Sequence, residues 1–140
     1  MITITLEDDP TGKTHRGLIE GIKTHTSEIL PDMNQQTVTV TIRDAAGTLL
    51  GGVVGRIAED SMYVDVVWND DTVRGKGMGR QMMVMLEDEA RKRGASEIWL
   101  YTMSFQAKPF YEKLGYTQFA ELPWRGGTMK RHFMRKDLCE

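Results

Sequence analysis

Three glycines alternate at positions 75, 77 and 79, with Arg74, Lys76 and Arg80 threaded among them. A short, almost wholly apolar run over residues 62–68 precedes this turn, and an amphipathic stretch over 77–93 follows it. An apolar run of strand length that turns through glycines into a helical period is a strand–turn–helix unit, which commits the chain to a fold mixing sheet and helix. The first turn of a helix presents backbone N–H groups without internal partners and the positive end of the helix dipole. Glycines let a phosphate approach that backbone closely, and the three cations add charge, so the turn reads as an anion cradle. The other reading of such a turn is a plain connector.

The rest of the chain supplies elements around this unit. Ile2, Ile4 and Leu6 alternate with polar residues and predict a first strand, broken by turn residues over 8–12. Leu18, Ile19, Ile22 and Ile29 predict a helix over 15–29 that Pro31 ends. Val38, Val40 and Ile42 predict a strand, the turn at 44–47 reverses it, and residues 49–57 return as a hairpin. The run at 62–68 fits a central strand covered on both faces. On the helix after the glycines, Met78, Met82, Met85, Leu86 and Ala90 form the expected inward face, and Gly94 suits a left-handed cap. A strand at 98–101 should run parallel to the one before the helix, by a right-handed crossover. A short helix over 106–114 and strands at 116–122 and 129–134 complete one domain spanning 1–140. The fold class is α+β, a three-layer arrangement on a mixed sheet.

Other phosphate-binding patterns do not fit. The Walker run of Gly, four residues and Gly-Lys-Ser/Thr is absent, and both frames of Gly-x-Gly-x-x-Gly fail, at Arg80 and at Met82. The formal net charge of −2 gives no general basic surface for nucleic acid or anionic membrane. One cysteine, Cys139, excludes an intramolecular disulfide and a cysteine-rich zinc site, and three scattered histidines make no metal set. The start lacks the basic and apolar regions of a secretion signal, and no stretch approaches a membrane span, so a cytoplasmic protein is expected.

What does fit is Arg-x-x-Gly-x-Gly, as Arg74-Gly75-Lys76-Gly77-Met78-Gly79. Between a buried strand and a helix, this pattern resembles the acyl-CoA pyrophosphate loop of the GNAT superfamily of N-acetyltransferases. The approach Trp68-Asn69-Asp70-Asp71-Thr72-Val73 is similar too. So is a second signature, Ser104-Phe105-Gln106-Ala107-Lys108-Pro109-Phe110-Tyr111, closed by Gly115-Tyr116; Ser104 stands where the family usually has Asn. The resemblance covers about residues 48–122. It implies a mostly antiparallel sheet with a splayed parallel strand pair and flanking helices, and acetyl-CoA as co-substrate without a metal. It implies transfer to a primary amine, on a small molecule or a peptide, by direct attack in a ternary complex.

The resemblance also distributes roles. Residues 74–80, including Gly75, Gly77, Met78, Gly79 and Arg80, would hold the diphosphate; Val66, Val67 and Trp68 would line the pantetheine arm and acyl carbonyl. Ser104, Phe105, Ala107 and Phe110 belong to the second signature. Tyr111 stands where the family has a general acid for the thiolate, or else packs only. Asp65, an acidic residue in an apolar strand, is either the general base or the structural partner of an arginine. Trp124 and Phe133 leave room for a homodimer. The alternative from another class is a non-catalytic acyl-CoA-binding or protein-interaction module on the same fold.

Overall fold

The computed structural model describes residues 1–103 and 107–139, which divide into two compact units at Met33/Asn34. The first unit holds helix α1 (Lys13–Ile29). Its first turn is closed by Asp9, whose two carboxylate oxygens accept the N–H groups of Thr14 and His15, each at 2.9 Å. The strand expected over residues 2–6 does not form: the segment has no ladder partner among the described residues, and Ile2, Ile4 and Leu6 are exposed. Alternation marks a chain that could pair, but a strand needs another strand's backbone to satisfy its own.

The second unit is a six-stranded sheet carrying two helices. Its elements are β1 (Gln35–Arg43), β2 (Leu49–Ala58), β3 (Ser61–Asn69), α2 (Met78–Lys92), β4 (Glu97–Met103), α3 (Lys108–Lys113), β5 (Thr117–Trp124) and β6 (Met129–Asp137). Strand order is β1-β2-β3-β4-β6-β5, and every neighbouring pair is antiparallel except β3–β4. That parallel pair follows from the β3–α2–β4 crossover. It is short: Ser61, Met62 and Tyr63 pair with Glu97, Ile98 and Trp99, and the strands then part.

The core lies where α2 and α3 meet the sheet. Met82, Met83, Leu86 and Ala90 pack in one cluster with Val53, Ile57, Met62, Ile98, Leu100, Tyr111, Tyr116 and Met134. The expected inward face of α2 is therefore rotated. Met78 and Met85 are exposed, and Met83 and Glu87 take their places inside. At 100° per residue, positions 82, 83, 86, 87 and 90 form one stripe, with 78 and 85 at its margin. Apolarity could not reveal this, because one inward residue is an acid. Glu87 is 2% exposed, and its charge is met by Lys136 Nζ at 2.7 Å and the Tyr116 hydroxyl at 2.8 Å. A buried carboxylate is tolerable only when so paired.

β3 also departs from expectation. Met62 and Val64 are buried, but residues 65–68 are exposed rather than covered on both faces. Among the described residues, nothing pairs with this half of the strand on the β4 side, and that gap is where the site lies. Among the described residues, no helix is long and apolar enough to cross a membrane.

Candidate functional site

Where β3 and β4 part, a cleft of about 900 Å³ runs from the glycine turn to the end of β4. Beyond Tyr63, the N–H and C=O groups of β3 that face β4 lack a ladder partner among the described residues, an edge suited to an extended, amide-bearing chain. The pairing register with β2 shifts here: Val54 pairs with Val66 and Gly55 with Val64, leaving Asp65 as an extra residue. Such a bulge bends its strand and re-aims the backbone. No sequence signal announces it, because register belongs to two strands rather than one.

The glycine turn closes one end of the cleft. Gly75 and Gly77 adopt left-handed φ of 74° and 76°, which glycine allows at little cost. Helix α2 starts without a side-chain cap or an acidic residue in its first turn, so its leading N–H groups stay available. A Cβ on Gly79 would lie 3.4 Å from both Asn69 Nδ2 and Phe110, so the turn is packed against its floor.

The three cations divide. Arg74 is engaged within the turn, its Nε donating to Asn69 O at 3.1 Å and its guanidinium 3.0 Å from Asp71. Lys76 and Arg80 have no hydrogen-bond or ion-pair partner among the described residues. Asn69 lines the cleft, with its Oδ1 buried and unpartnered.

Tyr111 lies at the cleft's inner wall, 5% exposed, its ring between those of Phe110 (5.1 Å) and Tyr116 (5.6 Å). Burial pushes its hydroxyl above the ordinary tyrosine range, so it holds its proton at neutral pH. Tyr116 is pushed up as well, first by burial and then by the adjacent Glu87 carboxylate. Asp65 lines the cleft but is exposed, and its Oδ2 accepts Arg56 Nε at 2.8 Å. The expectation of an acid inside a covered strand is corrected accordingly. Nearby, Tyr63 is raised by burial, then by Tyr101 and Asp65.

Most of the expected site residues therefore meet in one place: Asp65, Val67, Trp68, Arg74, Gly75, Gly77, Gly79, Arg80, Ala107, Phe110 and Tyr111 all line the cleft. Val66, Lys76 and Met78 lie outside its lining. Ser104 and Phe105 fall outside the described residues. Sequence reading missed Tyr101 and Met103 as cleft residues.

A family model described as "Acetyltransferase (GNAT) family" matches residues 4–116. The chain belongs to this family. It is an acyltransferase, and two curated acetyltransferases are similar to it. The Agrobacterium fabrum acetyltransferase Atu2258 is 32% identical over 91 residues, 65% of this chain and 66% of that protein. The blasticidin-S acetyltransferase of Streptomyces morookaense is 33% identical over 93 residues, 66% of this chain and 68% of that protein. Among solved structures, an acetyltransferase from Bacillus cereus superposes with a TM-score of 0.80 at 26% identity, covering 98% of each chain. GNAT membership accounts for the parallel pair that parts and for the cleft between its strands.

Proposed function

We propose that this chain moves an acetyl group from acetyl-CoA to a primary amine by direct attack in a ternary complex. The observation that carries this reading is the cleft itself: an uncapped helix N-terminus, an unpaired strand edge and a buried protonated tyrosine open onto one space. The residues fit the donor. The N–H groups at the start of α2, with Lys76 and Arg80, hold the diphosphate, while Arg74 keeps the turn in shape. The edge of β3 at Val66, Val67 and Trp68 takes the amide-bearing arm. Its backbone N–H groups receive the acyl oxygen, on which negative charge develops.

Attack forms the C–N bond and then breaks the C–S bond. The departing sulfur takes a proton from Tyr111, and the new ammonium gives one up to Asp65, directly or through water. An amine of pKa ~10.4 is neutral in only about one molecule in 2,500 at pH 7, so a nearby carboxylate matters for taking the amine's proton before attack as well. Arg56 fixes one oxygen of Asp65, and the other accepts no hydrogen bond among the described residues. The acceptor is a free small-molecule amine; the Streptomyces relative, by its name an acetyltransferase of blasticidin S, supports this over a peptide.

Tyr111→Phe is expected to bind acetyl-CoA as tightly as the wild type, while kcat falls by ~10² or more. Steady-state thiol release, with any amine the wild type accepts, reads both. Unchanged turnover would remove Tyr111 from the acid role.

A further inference from the structure

Among the described residues, Arg131 is the one arginine of the sheet whose buried Nε lacks a partner. It is half-buried on β6, its Nε is buried without a hydrogen-bond partner, and its guanidinium has no ion pair among the described residues. Other arginines on the sheet are matched: Arg135 lies 3.0 Å from Glu97, and Arg56 2.8 Å from Asp65. Buried donors in native proteins are almost always satisfied, and no described residue supplies the acceptor for Arg131.

Its position says what that acceptor is part of. Arg131 pairs across the ladder with Met103, and Phe133 with Tyr101; both Met103 and Tyr101 line the cleft. Residues two apart on a strand share a face, so Arg131 lies one step beyond the Tyr101–Phe133 ring contact of 5.4 Å. The opposite wall of the same cleft carries Asp65. One wall thus offers a carboxylate, while Arg131 stands behind the other wall, paired with its Met103 and outside the lining itself, with the Tyr101 ring on that wall for an apolar body.

We propose that Arg131 binds an anionic group of the acceptor, and that the amine acetylated by this protein also carries a carboxylate. The proposal rests on the acetyltransferase reading above. A guanidinium presents a planar fork that matches a carboxylate bidentately. A single unmatched cation balances one charge, which suits a carboxylate better than a phosphate dianion. The zwitterion then lies with its amine toward Asp65 and its carboxylate on Arg131.

The test follows thiol release at saturating acetyl-CoA with a panel of amino acids, each set against its decarboxylated amine and its primary amide. At least one amino acid should show a kcat/KM ten-fold or more above both partners. Arg131→Met, which keeps the aliphatic stem, should erase that preference through KM, and Arg131→Lys should retain part of it. Both variants should keep the wild-type stabilisation by acetyl-CoA. Equal rates within every set, turnover of decarboxylated amines only, or a preference that survives Arg131→Met would each overturn the proposal. So would a panel that yields no turnover from a protein that acetyl-CoA stabilises, with the acetyltransferase reading left standing. A wild type that acetyl-CoA does not stabilise would bring down that reading and this one together.

Discussion

Helices α1 and α2 begin alike and are finished differently. Each follows a left-handed glycine, Gly12 at φ 72° and Gly77 at φ 76°. At α1 the chain fills its own anion site, for the Asp9 carboxylate accepts the second and third N–H groups of the helix. At α2 the corresponding N–H groups, of Gly79 and Arg80, meet no side-chain cap among the described residues, and two cations without a partner among those residues, Lys76 and Arg80, stand beside them. The glycine alone therefore does not make an anion site. What makes one is a helix start that the protein declines to cap, placed against a cleft.

The comparison breaks most visibly if charge is reversed at the open end. Lys76→Glu with Arg80→Glu gives α2 carboxylates of its own, as α1 has, and removes two charge-assisted contacts. At roughly 1.5–3 kcal/mol for each such contact, acetyl-CoA should bind on the order of 10² to 10⁴ times more weakly by titration calorimetry. Binding within a factor of three of wild type would mean that the diphosphate is held elsewhere.

A smaller effect is expected at the closed end. Asp9→Ala should leave acetyl-CoA affinity unchanged and lower helical signal modestly, by far-ultraviolet circular dichroism. The N–H groups of Thr14 and then His15 hold the Asp9 carboxyl below its ordinary value of 3.8. A depressed folded value means that the cap contributes above that pH and is lost as pH falls through the folded value. The wild type should therefore lose α1 signal on acidification below about pH 4, and Asp9→Ala should show less of that step. A step of equal size in both would assign it to other carboxylates.

The two helix starts also show what was legible in the sequence. The glycine turn, its cations and the boundaries of α2 to within a residue followed from local chemistry that a single segment carries, whereas Tyr111 was singled out by the family resemblance of the second signature. The parallel pairing of β3 and β4 followed from chain connectivity. What stayed hidden depends on partners distant in sequence. Glu87 turns inward because Lys136 and Tyr116 are there to meet it. The bulge at Asp65 exists only in the register between β2 and β3. Residues 2–6 carry a strand's alternation without a ladder. Arg131 reads as an ordinary strand arginine until its missing partner is seen. Ser104 and Phe105, taken from the second signature, lie outside the described residues.

The most direct measurement of the central claim is thermal unfolding of the whole chain with acetyl-CoA, CoA, ATP or NADH in large excess. A ligand at ~100 times its dissociation constant adds about 2.7 kcal/mol, which for a chain of this length raises the midpoint by roughly 9 °C. The account predicts that shift with acetyl-CoA and CoA and far less with ATP or NADH. No shift with either CoA species would contradict it, leaving the uncapped start of α2 without the ligand assigned to it.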